Sequence, residues 1–198
     1  NGKEIVKTSP TKELYTTNWG HGMFKYNACE FCDDVLAETA DVTIGDAWLP
    51  EYTEDSKGTN IIVVRNPIIQ KLFDKNKGIN INIEELSPEK VYQSQAGGFR
   101  HRRDGLSYRL YLKDKNNKWR PNKRVEPINI HSKKRKKIYK MRTLLSKESF
   151  KAYKLAEKEK NFNAFIEYMN PLLTQYNKLT RTPLLFRAMR KIKKMIVN

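Results

Sequence analysis

The amino-acid sequence predicts an α+β fold, with a mixed β-sheet flanked by helices and followed by a basic, all-helical C-terminal region. Two observations predict it. Short β-branched runs bounded by Gly, Pro and Asp occur in the first part of the chain. Residues 1–131 hold 20 basic and 18 acidic side chains, whereas residues 132–198 hold 19 and 4, lack glycine and show long helical patterns. We therefore predict two domains, residues 1–131 and 132–198.

The first region predicts strands at residues 3–8, 40–46 and 60–65. Residues 60–65 form a continuous apolar run between Gly58 and Pro67, which is typical of a strand buried on both faces and central in its sheet. Residues 79–86 alternate between apolar and polar side chains, which predicts a further strand.

Two helices are predicted between and after these strands. Asn66 can cap a helix that has Pro67 at its first position, and Gly78 can end it. Ser87 and Pro88 open a shorter helix that continues through Tyr92.

The second region predicts three helices, over residues 132–160, over 161–177 and from residue 182 onward. In the last, Leu185, Met189, Ile192 and Ile196 share a face opposite basic side chains. This stripe could pack on the preceding helices or attach residues 182–198 to an anionic membrane surface. Nucleic acid is disfavoured because aromatic side chains are not interleaved as stacking platforms.

Composition limits the class of protein. The chain has 198 residues, a net charge of +17 and 38% hydrophobic residues, which suits a soluble basic protein with a real core. No stretch approaches the roughly 18 to 20 apolar residues of a membrane-spanning helix, and no signal peptide is visible. We expect a cytoplasmic protein, with peripheral membrane attachment as an option.

The chain has two cysteines, Cys29 and Cys32, in a C-x-x-C spacing. This spacing lets two thiolates bind one metal ion or cluster, or close a disulfide, and it also occurs by chance. A zinc site or an iron-sulfur cluster needs about four ligands. His21 is a candidate third ligand, although single histidines are more often structural.

The segment around these cysteines resembles the C-terminal domain of the coenzyme F-420 hydrogenase/dehydrogenase beta subunit family over roughly residues 1–131. The resemblance is carried by Cys29-x-x-Cys32-x-Asp34, Ala37-Glu38, Ala40-Asp41-Val42, Gly45 and the run from Gly58 to Arg65. With Gly45-Asp46-Ala47-Trp48-Leu49-Pro50, the segment is similar to a bacterial branch associated with polysaccharide biosynthesis.

The resemblance implies an iron-sulfur flavoprotein that carries a 4Fe-4S cluster and FAD, with Cys29 and Cys32 as two cluster ligands. The family has a cysteine-rich, ferredoxin-like N-terminal segment, which we expect in a longer polypeptide because this sequence begins at Asn1. Gly45-Asp46-Ala47 differs from the run of small residues typical of hydrogenase subunits, which argues against the deazaflavin coenzyme F-420 as a ligand.

Two glycine-containing segments are the candidate flavin site, because such loops let backbone amides approach a ring or a diphosphate. Their residues are Gly45, Asp46, Trp48, Gly58, Thr59 and Asn60. The alternatives are ordinary strand ends and a Trp48 that fills the core.

A run of basic residues after Gly97-Gly98 is the candidate anion site: Arg100, His101, Arg102 and Arg103. Arginine suits bidentate binding of phosphate or carboxylate. The alternative is a solvated loop in which Arg102 or Arg103 pairs with Asp104.

The sequence therefore favours a fragment of an oxidoreductase that passes electrons between a 4Fe-4S cluster, FAD and a diffusible carrier or sugar-linked substrate. Its expected partners are the ferredoxin-like segment and a redox partner. The alternatives are a basic nucleic-acid-binding module and a zinc-stabilised interaction domain built on the two cysteines.

Overall fold

The computed structural model of the chain describes residues 8–52 and 55–181. They form two compact units. We call residues 28–130 the cysteine unit, and residues 8–27 with 131–181 the helical unit. The predicted domains, 1–131 and 132–198, group the first residues differently and stay a prediction. The predicted α+β class is confirmed.

The cysteine unit begins at a 3₁₀ helix, Asn27–Phe31, and contains two strands, β1 (Val42–Asp46) and β2 (Asn60–Val64). The strands pair antiparallel, with Val42 opposite Val64 and Asp46 opposite Asn60. Within the described residues the sheet is therefore antiparallel and two-stranded, not mixed. Among the residues that the structure describes, β2 has one neighbour and only its Ile61 is fully buried, so there it is neither central nor buried on both faces as predicted for residues 60–65.

Helices of the cysteine unit follow β2: α1 (Pro67–Asn76), α2 (Pro88–Ser94), α3 (Ala96–Phe99) and α4 (Gly105–Lys115). A π-helical turn, Arg100–Asp104, joins α3 to α4. The predicted caps are confirmed, since the Asn66 side chain accepts a hydrogen bond from the Ile68 amide and Ser87 accepts one from the Lys90 amide. Gly78 has φ +75°, which favours glycine just beyond the end of α1.

The predicted strand over residues 79–86 is wrong. Its only ladder contact is an isolated bridge between Lys77 and Ile81 among the residues described. Ile79 is 77% exposed, so the alternation does not mark a buried face. A period of two needs a neighbouring strand to pair with, and the chain supplies none here in its described part.

The helical unit consists mainly of an antiparallel helix pair, α5 (Lys133–Glu159) and α6 (Phe162–Thr180). Both predicted helices are confirmed. Ser132 caps α5, Lys160 at φ 51° ends it, and the Asn161 side chain caps α6. Their contact faces form one apolar core: Ile138, Met141, Leu145, Ala152, Ala156, Ala164, Phe165, Met169, Leu173 and Tyr176.

Residues 8–27 are tied to this helix pair by side-chain hydrogen bonds. The Phe24 amide donates to Ser149 Oγ at 2.9 Å, and the Tyr176 hydroxyl donates to the Gly20 carbonyl at 2.8 Å. Most of the predicted strand at 3–8 and all of the predicted helix from residue 182 lie outside the described residues. No helix in the described ranges is long and apolar enough to cross a membrane.

Candidate functional site

The two cysteines lie on and just after one short turn of helix. Cys29 belongs to the 3₁₀ helix Asn27–Phe31 and is exposed, while Cys32 follows it and is half-buried. Both thiols are free, so the disulfide alternative is not formed. The Cys32 amide donates to the Cys29 carbonyl at 3.4 Å, which closes the turn between them.

Arg102 reaches this turn from the π-helical segment. Its Nη1 lies 3.8 Å from Cys32 Sγ and also donates to the Asp34 carbonyl. The Asp34 carboxylate in turn accepts hydrogen bonds from the Leu36 and Glu38 amides, at 3.1 Å and 3.0 Å. Arg102 therefore places a positive charge and an N–H donor beside the Cys32 sulfur, in a backbone turn fixed by Asp34.

Four further ionic contacts hold residues 33–38. Asp33 accepts from Lys123 Nζ at 2.7 Å and from Arg124 Nε at 2.8 Å. Glu38 accepts from Arg124 at 2.6 Å and from Arg103 at 3.0 Å. Segment 33–38 is thus held by basic side chains that lie some 65 to 91 residues later in the sequence. We call these ion pairs the ionic clamp.

These cations change the acidity of both carboxyl groups. Burial, the largest single effect on Asp33, raises its pKa, but the hydrogen bonds from Lys123 and Arg124 outweigh burial and hold the pKa below its usual value. The hydrogen bonds from Arg124 are the main cause that lowers the pKa of Glu38. Both carboxylates are therefore ionised at neutral pH.

The 3₁₀ helix itself is held by a separate pair. Arg109 donates from Nε and Nη2 to the Glu30 carbonyl, at 3.0 Å and 2.8 Å, and its Nε lies 3.1 Å from Glu30 Oε2. Both side chains are largely buried, 15% and 12% exposed. This contact fixes Glu30, one of the two residues that lie between the cysteines.

The candidate anion residues lie on a helical turn, so the alternative of a solvated loop is wrong. Arg102 and Arg103 are occupied by Asp34 and Glu38, not by Asp104, and Arg103 stacks over Phe99 at 4.9 Å. The Arg100 Nε atom is buried, with no acceptor in the part of the chain described. His101 is half-buried and its carbonyl accepts from Arg109. Anion binding here stays a prediction.

The two predicted flavin segments meet at one end of the sheet. Asp46 pairs with Asn60, Gly45 pairs with Ile61, and the Ala47 amide donates to the Thr59 carbonyl at 2.9 Å. Gly58 has φ +81°, in the region that favours glycine, and turns the chain into β2.

Trp48 projects from this end of the sheet and is 65% exposed, so it does not fill the core. Its backbone amide donates to Ser94 Oγ at 3.0 Å, and Gln95 Nε2 donates to the Asp46 carbonyl at 2.9 Å. The end of α2 therefore fixes the backbone of this corner while the indole stays accessible.

A cavity of about 360 Å³ opens beside the same corner. Its lining includes Ala47, Thr59, Asn60, Ile61, Phe73 and Leu86. At its rim the Tyr52 hydroxyl donates to Glu84, and this hydrogen bond is the main cause that raises the pKa of Tyr52. Polar and apolar side chains thus share the lining of the cavity, and Glu84 and Glu85 make part of it acidic.

A wider groove of about 970 Å³ lies on the neighbouring surface of the unit and is lined by Ile62, Val64, Tyr92, Phe99 and Arg103 among others. Tyr92 and Phe99 stack with ring centroids 4.5 Å apart. Arg103 joins this groove to the ionic clamp, because the same guanidinium binds Glu38.

No group of three or more His, Cys, Asp or Glu side chains suited to a metal ion exists among the residues described. His21, the candidate third ligand, is buried, with its two ring nitrogens hydrogen-bonded to Thr16 and Asn177. It is therefore a structural histidine. Within the described ranges, a zinc site would therefore have two candidate ligands, Cys29 and Cys32.

Sequence reasoning missed most of the clamp. Asp33, Arg109, Lys123 and Arg124 carried no local signal, because each acts through a partner far along the chain. Glu38 entered only through the family resemblance. Alternation and spacing report contacts within one element, and these contacts join different elements.

No curated protein and no solved structure matches the chain. Residues 1–89 match the family model that describes the C terminus of the beta subunit of coenzyme F420 hydrogenase/dehydrogenase. The matched segment contains both cysteines, β1, β2 and α1, and it stops short of the predicted limit at residue 131. Over residues 1–89 the chain is therefore similar to the C-terminal part of the coenzyme F420 hydrogenase/dehydrogenase beta subunit.

Proposed function

We propose that the cysteine unit is part of an iron-sulfur flavoprotein oxidoreductase, in which Cys29 and Cys32 supply two ligands of a 4Fe-4S cluster and the corner around Trp48 binds the FAD ring. One observation carries the proposal. The two segments expected to bind flavin form one corner with an accessible indole and an adjoining cavity of about 360 Å³.

The residues at the cysteine turn fit half of a cluster. Two free thiols of the required kind are accessible on one turn, and Arg102 offers an N–H to the Cys32 sulfur. Hydrogen bonds to sulfur are one means by which proteins adjust cluster potentials. The remaining ligands would come from a ferredoxin-like segment, either preceding this sequence in a longer chain or supplied by a partner.

The residues at the sheet corner fit a flavin ring better than a diphosphate. A pocket of roughly 300 to 1,000 Å³ with apolar walls is usual for a small ligand, and the indole of Trp48 offers a stacking surface. Glu84 and Glu85 line the cavity and would repel a diphosphate. Arg103 in the neighbouring groove is the cation that this face offers to phosphate.

The protein's own contribution is positional. The bound cluster and flavin supply the electron and hydride chemistry. Arg109 and the Asp33–Glu38 clamp hold the cysteine turn in place, while α2 holds the backbone under Trp48. The electron acceptor would be a diffusible carrier or a sugar-linked substrate in the cytoplasm.

The flavin half is tested by titrating FAD with the 198-residue chain and following flavin fluorescence. We expect saturable quenching, and Trp48→Ala should weaken binding by up to about tenfold, since an aromatic stack contributes roughly 0.5 to 1.5 kcal/mol. Trp119→Ala is the control, because Trp119 is also exposed but belongs to neither of the two segments that form the corner. Equal affinity in all three proteins would refute this assignment of the corner.

The cluster half is tested anaerobically with a 4Fe-4S cluster that carries small thiolate ligands. Two protein thiolates can replace two small ones, so iron and sulfide should comigrate with the wild-type chain on gel filtration. Cys29→Ser and Cys32→Ser should each lose this iron. Comigration that survives both substitutions together would show that the cysteines are not ligands.

A further inference from the structure

Helix α5 has two sharply different sides. Its buried residues, including Ile138, Leu145 and Ala152, pack into the core of the helical unit. On the opposite side lie seven exposed lysines, which we call the lysine face: Lys133, Lys137, Lys140, Lys147, Lys151, Lys154 and Lys158. Their seven-residue repeat places them in two adjacent rows along the helix.

The lysine face is almost uncompensated. Lys151 pairs with Glu148 at 2.8 Å. None of the other six has a carboxylate oxygen within 4.0 Å of its ammonium group in the described part of the chain. Like charges one helical turn apart repel each other, so an anionic partner would relieve a repulsion that an ordinary mixed-charge surface avoids.

The shape of the lysine face favours a flat partner. From Lys133 to Lys158 it extends about 38 Å at 1.5 Å per residue, along one uninterrupted helix. A straight helix of that length does not follow the curved groove of DNA. A recognition helix in the major groove contacts the bases with one end only. All seven cations are lysines, whereas arginine is the residue suited to bidentate phosphate and base recognition.

Aromatic side chains border the lysine face. Phe150 lies one helical turn from both Lys147 and Lys154 on α5, and the Tyr26 ring lies 6.2 Å from the Phe150 ring, between centroids. Phe24 lies 5.5 Å from Phe150 and 6.2 Å from Tyr153, between ring centroids. Tyr26 is 74% exposed and Tyr153 is 54% exposed. Tyrosines beside lysines are typical of surfaces that rest at the headgroup level of a bilayer.

We propose that the lysine face of α5, with its aromatic border, binds the surface of a membrane that contains anionic lipids, with α5 parallel to the bilayer plane. The lysines contact lipid phosphates and carboxylates, and the tyrosines lie among the headgroups. This surface belongs to the helical unit and is independent of the oxidoreductase proposal.

Cosedimentation of the 198-residue chain with vesicles tests the proposal. The probes are neutral phosphatidylcholine vesicles and vesicles that also contain phosphatidylserine, in about 0.1 M salt, where screening acts over about 10 Å. A lysine near an anionic surface contributes roughly fivefold in affinity. The variant Lys140→Gln, Lys147→Gln, Lys154→Gln should therefore bind anionic vesicles about 100-fold more weakly.

The matched control is Lys71→Gln, Lys75→Gln, Lys118→Gln, which removes the same charge from exposed positions in the cysteine unit. It should bind within about threefold of wild type, since these lysines lie outside the lysine face. Residues 182–198 are unchanged in all three proteins, so any binding by that basic segment is constant. Circular dichroism checks that helix content is equal.

The proposal is overturned if the two triple variants bind anionic vesicles equally, because net charge alone then explains the binding. Absence of binding to anionic vesicles by the wild-type chain also overturns it. The proposal is also overturned if the wild-type chain binds duplex DNA or RNA more tightly than vesicles and only the α5 variant loses that binding. Such a result would assign the lysine face to nucleic acid.

Discussion

The two units are held together by different forces. The helical unit has a continuous apolar core, in which Leu145 and Met169 are 0% exposed. The turn that carries Cys29 and Cys32 is held mainly by ion pairs. Glu30, Asp33 and Glu38 each pair with basic side chains from residues 103–124. Apolar packing is insensitive to pH, whereas ion pairs depend on ionised partners. The turn that carries the two cysteines is thus the part of the candidate site whose geometry depends on charge.

The largest effect should come from the apolar core. Leu145→Ala should lower the free energy of unfolding of the helical unit by about 2 to 5 kcal/mol, because it removes a fully buried side chain and leaves a cavity. Urea unfolding followed by circular dichroism measures the loss. Leu144→Ala, at a 38% exposed position on the same helix, should cost much less. Equal losses would show that α5 is not packed as described.

A smaller effect is expected from the ion pair between Arg109 and Glu30. Arg109→Met should destabilise the cysteine unit by about 2 to 3 kcal/mol, since it removes two hydrogen bonds to the Glu30 carbonyl and an ion pair with the Glu30 carboxylate in a largely buried place. Hydrogen exchange should accelerate in residues 28–38 and stay unchanged in α6. Unchanged exchange in residues 28–38 would contradict the ionic account.

The pH dependence should follow the clamp. The pKa values of Asp33 and Glu38 are lowered in the folded protein, so their contribution is present above their ordinary pKa values near about 4 and is lost as pH falls below them. Urea midpoints from about pH 6 to about pH 3 should show the loss. The stability difference between wild type and Glu38→Gln should shrink toward zero at the acidic end.

Glu148→Gln is the control for this titration. The hydrogen bonds from Lys151 and Tyr168 also lower the pKa of Glu148, but that carboxylate forms an ion pair with Lys151 alone, whereas Glu38 pairs with both Arg103 and Arg124. Its pH dependence should be weaker than that of Glu38. A stronger dependence at Glu148 would reverse the comparison between the units.

The smallest effect is expected where α3 meets the cysteine segment. Gly97→Ala should stabilise the protein by about 0.5 to 1 kcal/mol, because alanine favours the helix and no atom lies within 4 Å of the new Cβ. Gly98→Ala should gain less or nothing, since its Cβ would lie 2.9 Å from Val35 Cγ1. Thermal unfolding of both variants measures the two gains in stability. Equal gains would show that the Val35 side chain moves aside without cost.

Local signals in the sequence predicted the local structure. The caps Asn66 and Ser87, the strands 42–46 and 60–64 and the long helices α5 and α6 were all expected, because capping groups and a 3.6-residue period act within one element. The resemblance to the beta subunit family, confirmed over residues 1–89, also rested on contiguous residues. The strand predicted over residues 79–86 is wrong, because alternating apolar and polar side chains form a strand only where a partner strand can pair with them.

By itself, then, the sequence determined the α+β class, most helix boundaries and the similarity to the beta subunit family over residues 1–89. The tertiary structure alone decided which cations hold the cysteine turn, that Trp48 is exposed, and that residues 45–48 and 58–60 form one corner. The physical reason is sequence separation. Arg124 and Asp33 are 91 residues apart, and such pairs are set by how whole elements pack, which no periodicity within one element records.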